Sequence, residues 1–324
     1  MHLLQYVWMG VILVGLQILT APVVVHAESA PKQRYVIGFS QATTTEPWRI
    51  LFNDELRAEA AKHPEIELVV ADGMDNTTRQ TADVESFIAR KVDVILISPK
   101  EEAALTPVVG KAMDAGIPVI VLDRDLSNDR YTQFIGGDNL LIGAEAGRYA
   151  VKLLGGPGKA RGNVVEIWGG MASTPARDRH QGFAQEIAKE PGIHIVNPPA
   201  DGDWKQDKSY EIMADALERH PQIHLVYAHN DPMAFGAFLA AKDMGKSQGI
   251  AFLGIDGIPA EGVKWVHEGI LTATFLYKTP GDEGIRQALQ LLNGASIPHR
   301  VTLPTQTIDA SNAAQILRDF GLLR

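Results

Sequence analysis

Short runs of β-branched and aliphatic residues, such as 92–97 (VDVILI) and 223–228 (IHLVYA), recur along this chain, separated by segments of helical period. A run with so little alternation has no face left for water. It reads as a strand covered on both sides, the pattern of a parallel sheet flanked by helices. The fold is thereby confined to α/β with right-handed crossovers. Strands are predicted at 35–39, 66–70, 92–97, 118–122 and 133–136, and a second set at 163–168, 193–196, 223–228, 250–255 and 271–276. Helical patterns fill the intervals, for example 77–90, 103–115 and 232–244.

The two sets follow one plan. The strand at 92–97 leads to Ser98-Pro99, a helix, and a strand ending at Asp123; the strand at 223–228 leads to Asn230-Asp231, a helix, and a strand ending at Asp256. The spacing is 25 residues from Ser98 to Asp123 and 26 from Asn230 to Asp256. A chain of 324 residues suits two domains. The expectation is two similar, doubly wound parallel-sheet lobes that face one another.

The ends of the chain and its composition narrow the class. Residues 1–27 contain no Lys, Arg, Asp or Glu, 7–19 is mostly apolar, and Val25-His26-Ala27 approximates a cleavage pattern before Glu28. Residues 1–27 are therefore read as a signal peptide of an exported protein, with an uncleaved N-terminal anchor as the alternative. No later segment approaches the ~20 apolar residues of a membrane span. A net charge of −9 with no Lys/Arg run argues against a nucleic-acid partner. The absence of cysteine removes disulfides, thiolate metal sites and thiol nucleophiles.

Ligands of open parallel sheets bind beyond the carboxyl ends of the strands. The residues at that station are Ser40-Gln41, Ser98-Pro99, Asp123-Arg124, Gly169-Gly170, His229-Asn230 and Asp256-Gly257. Helix capping competes as an explanation for Ser98, Asn230 and Asp231, but not for Arg124 or its pairing with Asp123. A carboxylate that only accepts and a guanidinium that only donates suit a neutral, polyhydroxylated ligand, whose hydroxyls do both. Indole supplies the flat surface that the C–H face of a sugar needs. Trp48 and Trp204 are placed for this, Trp168 ends a strand within reach, and Trp265 reads as a core residue on a helix face.

Several other features carry less. GGPGKARG at 155–162 lacks the Walker spacing and reads as a turn. Asp201, Asp203 and Asp207 lack the glycine and glutamate of a calcium loop, and His220, His224 and His229 diverge around a strand. Neither H-E-x-x-H nor G-x-S-x-G occurs. Asp123, held ionised beside Arg124, would make a poor general acid.

Five segments, IGFSQ with EPWR, PVIVLDRD, STPARDRHQGF, YAHNDPMAFGA and FLGIDGIPAEG, occur in the order and spacing of a known family. The chain resembles periplasmic sugar-binding proteins of the ribose-binding type. EPWR is similar to the galactofuranose-binding branch. The resemblance implies ligand contacts from Trp48, Arg49, Asp123 and Arg124 in the first lobe, and from Arg177, Asn230 and Asp256 in the second. Ser40, Trp204 and Tyr277 complete the expected set; Tyr277 stands where ribose-binding members carry Gln, which argues against ribose. The resemblance also implies a type 1 periplasmic binding fold with a three-segment hinge near Gly136-Gly137, Tyr277 and Pro304-Thr305. The N-terminal lobe would then hold 34–136 and 278–303, and the C-terminal lobe 137–277 and 304–324. The implied function is capture of a neutral monosaccharide, furanose forms included, by hinge closure and its delivery to an ABC importer. The protein would be a monomer, not an enzyme, with no cofactor and no metal. The same fold could instead report to a membrane histidine kinase or chemoreceptor. A repressor of the lac family would need a helix-turn-helix where residues 1–33 hold an apolar export segment.

Overall fold

The computed structural model describes residues 34–324, so the signal segment expected over 1–27 lies outside the described residues. The first sheet is built from β1 (Tyr35–Gln41), β2 (Ile66–Asp72), β3 (Val94–Ser98), β4 (Val119–Leu122), β5 (Gln133–Gly137) and β11 (Arg300–Leu303). Its order is β11-β5-β4-β3-β1-β2, parallel throughout. The second contains β6 (Arg161–Ile167), β7 (Gly192–Ile195), β8 (Leu225–Ala228), β9 (Ala251–Asp256), β10 (Ala273–Leu276) and β12 (Thr307–Asp309), in the order β12-β10-β9-β8-β6-β7. Only β12, at its edge, runs antiparallel.

The unbroken apolar runs do what their composition requires. Every residue of β3, β4 and β8 is buried, as expected of strands covered by helices on both faces. Helices α1 (Pro47–Ala60), α2 (Thr77–Arg90) and α3 (Glu102–Asp114) connect the first four strands. In the second sheet the connectors are α5 (Thr174–Ile187), α6 (Gln206–Arg219) and α7 (Asp231–Asp243). Further on, a π-turn (Pro259–Val263) leads into α8 (Lys264–His267). Trp265 does lie against the second core, stacked on Phe235 with ring centroids 4.4 Å apart.

The chain leaves the first sheet after Gly137, entering α4 (Asn139–Leu153). It returns after Leu276 to supply α9 (Gly281–Leu292) and β11, then crosses back for β12 and α10 (Ala313–Asp319). Strands β11 and β12 had no counterpart in the strand expectations. Both are short, and RVTL and TID carry too few apolar residues to announce themselves. They are recruited by an open sheet edge.

Helices α4 and α5 approach at backbone distance. A Cβ on Gly143 would sit 2.1 Å from Arg179 O, and one on Gly182 2.1 Å from Leu140 O. Gly143→Ala is therefore expected to destabilise by more than about 2 kcal/mol and to displace Arg179; thermal unfolding with wild type alongside checks it. A midpoint within a degree of wild type would contradict this packing.

Candidate functional site

The carboxyl ends of both sheets face one cleft. There Glu46, Trp48, Arg49, Asp123, Arg124, Pro175, Arg179, Trp204, Asn230, Asp256 and Tyr277 surround about 360 Å³ of space.

Asp123 organises the first-lobe wall. It follows the buried β4 and takes a left-handed backbone, φ 69°, a conformation costing a non-glycine residue about 1–3 kcal/mol unless its surroundings hold it. Its Oδ2 accepts from Arg49 Nη2 at 3.0 Å and from Ser98 Oγ at 3.0 Å, and its Oδ1 accepts from Tyr277 Oη at 2.8 Å. Arg49 also donates to Gln41 Oε1 at 2.7 Å. Burial alone would raise the Asp123 pKa, but the Arg49 and Arg124 guanidiniums outweigh it and hold the carboxyl below its ordinary value. Arg124 is different. Burial and the nearby Arg49 charge bring it down to about 10, still a cation at neutral pH. It donates to Lys100 O at 2.9 Å, and its guanidinium lies 5.5 Å from the Trp204 ring centroid.

Aromatic surface comes from three elements. Trp48, near the start of α1, stacks on Tyr277 at 5.1 Å and donates its Nε1 proton to Tyr277 O at 2.8 Å. Trp204 is carried by a loop in which it and Asp203 adopt positive φ, 65° and 50°. It lies so close to Gly169 that a Cβ there would fall 2.3 Å from the indole ring. The diglycine after β6 thus makes room for the second indole.

From the second lobe, Asn230 serves two purposes at once. Its Oδ1 caps α7 by accepting from Met233 N, and its Nδ2 donates to Trp204 O at 3.1 Å while the side chain lines the cavity. Ser98 is not a cap, since α3 starts at Glu102 with Glu101 before it. Asp256 ends β9 in the cavity, its carboxyl pushed well above the ordinary range by burial and by the neighbouring Asp231.

Arg177 requires correction. It is about half exposed and donates to Glu102 Oε1 at 2.7 Å on the rim, outside the cavity lining. The arginine in the cleft is Arg179. It donates from Nε to Asn139 Oδ1 at 2.9 Å and from Nη1 to His229 O at 2.5 Å, with its guanidinium 4.5 Å from the Tyr277 ring centroid. Helical phase explains the difference. Ala176, Arg179 and Phe183 share the buried face of α5, whereas Arg177 is turned about 100° or more away from each of them. Phe183, the large apolar residue of this segment, fixes that phase in the sequence itself.

Two further placements differ. Ser40 lies beneath the cleft, donating to Asp83 Oδ2 at 3.1 Å, and does not line it. Trp168 packs against His180 with ring centroids 4.1 Å apart and planes tilted by 30°, likewise outside the lining. Glu46, Pro175 and Arg179 were not anticipated. Glu46 opens the EPWR segment and forms an ion pair with Arg49 at 3.2 Å. Among the described residues, no group of His, Cys, Asp and Glu is arranged to hold a metal ion.

Both lobes meet across the rim. Arg177 reaches Glu102, Lys205 reaches Asp75 at 3.2 Å, and Thr174 Oγ1 accepts from Asp125 N at 2.9 Å. The cleft is closed in this structure.

An α/β chain of two parallel sheets around such a polar, aromatic cleft has the architecture of a periplasmic solute-binding protein. The chain belongs to the periplasmic binding protein family: the family model described as "Periplasmic binding protein domain" matches residues 37–296. It is similar to the ribose import binding protein of Escherichia coli (strain K12), 34% identical over 263 residues, covering 81% of this chain and 86% of that one. A galactofuranose-binding protein of the same organism is 36% identical over 231 residues, 69% of this chain and 71% of its own. Among solved structures, the fructose binding periplasmic domain of a hybrid two component system superposes with TM-score 0.85 at 37% identity, covering 89% of this chain and 95% of that domain.

Proposed function

We propose that this protein captures a neutral monosaccharide between its two lobes in the periplasm and presents the closed complex to an ABC importer. The observation that carries this reading is the cleft lining. Arg49, Arg124 and Arg179 stand against Asp123, Asp256 and Glu46, so cations and carboxyls balance in number, and three aromatic rings border them. A neutral ligand rich in hydroxyls can accept from the guanidiniums and donate to the carboxyls without adding charge, each such bond contributing about 1.5–3 kcal/mol. Tyr277, Trp48 and Arg49, where ribose-binding members carry other residues, favour a pentose or hexose other than ribose, furanose forms included. The three chain crossings between sheets support hinge closure: a ligand touching both lobes stabilises the form in which both contacts exist.

A second reading has its own support. A structural neighbour is the fructose binding periplasmic domain of a hybrid two component system, which supports a membrane kinase as the alternative reader of the closed form.

The test is a thermal-shift panel of aldoses, ketoses and inositols. One stereochemical class should raise the unfolding midpoint. At about a thousand times Kd, the stabilisation is about 4 kcal/mol, on the order of 10 °C for a chain of this size. A uniform lack of response across the panel would rule out the sugar reading. Reconstitution with a candidate permease or kinase then separates import from sensing.

A further inference from the structure

Behind Asp256 lies a carboxyl that the cleft lining does not include. Asp231, the first residue of α7, is 1% exposed, and its Oδ2 accepts from Gly257 N at 2.9 Å. The carboxyl fits a slot between two glycines. A Cβ on Gly254 would fall 2.2 Å from Oδ1 and one on Gly262 1.9 Å from Oδ2. The turn it grips is unusual: Asp256 has φ 132° and Gly257 φ 66°. The Asp231 carboxyl thus fixes the backbone that aims Asp256 into the cleft.

The groups facing Asp231 are mostly acidic. Asp256 ends β9 beside it, and Glu261 of the π-turn faces it with a buried, unpartnered Oε2. The Thr274 hydroxyl of β10 and the Gly257 N–H act on Asp231 in the opposite sense, favouring its ionised form. The cation that acts on both Asp231 and Asp256 is Arg179 of α5, already engaged by Asn139 and His229. Across the cleft, Asp123 adds further negative charge toward Asp256. Three buried or half-buried carboxyls with one committed guanidinium cannot all stay ionised cheaply.

We propose that Asp231 is the positioning residue of Asp256, acting through the Gly257 N–H, and that the two carboxyls hold one shared proton in the folded protein, more firmly once the cleft closes on a ligand. The coupling to ligand rests on the sugar-binding reading above; the shared proton of the folded protein does not. Burial pushes Asp231 up to about 7 and Asp256 upward as well. The sign follows. Closure removes water from Asp256 and favours the protonated pair, so the closed form binds more protons than the open one. Affinity is then full at mildly acidic pH and falls as pH rises through about 7, by up to about tenfold per pH unit for one proton.

Asp231→Asn keeps an oxygen to accept from Gly257 N and cannot titrate; Asp231→Ala loses both. Three measurements on the full mature chain test the idea. In unfolding scans without sugar from about pH 5 to about pH 8, the wild-type midpoint should fall relative to Asp231→Asn as pH rises. Parallel curves would overturn the shared proton. Infrared spectra of wild type near pH 6 should show the carbonyl stretch of a protonated carboxylic acid, and its absence would overturn it even if the variants fail to fold. Calorimetry with D-fructose, L-arabinose, D-ribose and D-galactose should show the affinity loss with pH in wild type, a flat profile in Asp231→Asn, and weaker binding at every pH in Asp231→Ala. A flat wild-type profile overturns the coupling alone. Heat from none of the four sugars overturns the coupling together with the sugar reading, while the first two measurements still judge the carboxyl pair.

Discussion

Asp123→Ala is expected to abolish sugar binding and to lower stability by about 3–5 kcal/mol, because it leaves buried guanidiniums without their carboxylate. Arg49 is 3% and Arg124 7% exposed, and both face Asp123. Ser98 Oγ and Tyr277 Oη lose their acceptor in the same step. Denaturant unfolding and calorimetric titration of the same preparation measure the two losses. Asp123 also sets an acid limit. Its folded pKa is held below the unfolded value, so its contribution is present above about pH 4 and is lost as pH falls through the folded value. Asp123→Asn should remove that part of the acid sensitivity. Retained affinity in Asp123→Ala would take this carboxylate out of the recognition scheme.

Arg179→Ala is expected to weaken sugar binding by about a hundredfold or more, whereas Arg177→Ala should change it by less than about fivefold. The first removes a buried, charge-assisted donor that borders the cavity, at about 1.5–3 kcal/mol per hydrogen bond, and tenfold follows from each 1.4 kcal/mol. The second removes a rim pair with Glu102 in which the arginine side chain is 53% exposed, and such pairs contribute about 0–1 kcal/mol. Adding salt should erase most of the Arg177 effect and little of the Arg179 effect. The opposite ranking of the two variants by titration would restore Arg177 to the cleft and unseat the helical phase argued for α5.

That pair of arginines shows where sequence reasoning stops. The strands with unbroken apolar runs, such as β3, β4 and β8, announce themselves because burial on both faces leaves a compositional trace. The residues directly after them, Asp123, Arg124, Asn230 and Asp256, are legible for the same reason, since a strand end fixes where the next side chain must stand. A helix gives weaker guidance: two arginines two positions apart point to different sides, and only the buried Phe183 reveals which side faces the cleft. Ser40 sits at a strand end too, yet Gln80 and Asp83 from α2 engage it beneath the cleft floor. Strands β11 and β12 leave almost no trace, because an edge strand of three or four residues borrows its structure from the neighbour it joins.

The return of α9 and β11 to the first sheet has a consequence for how this chain comes into being. Its edge strand, Arg300–Leu303, pairs with Gln133–Gly137 across more than half the polypeptide. A nascent chain emerging from the ribosome therefore lacks a finished first half until nearly its last residues have been made. Pairings so distant in sequence form slowly, so the edge of the first sheet is the part of that sheet expected to close last.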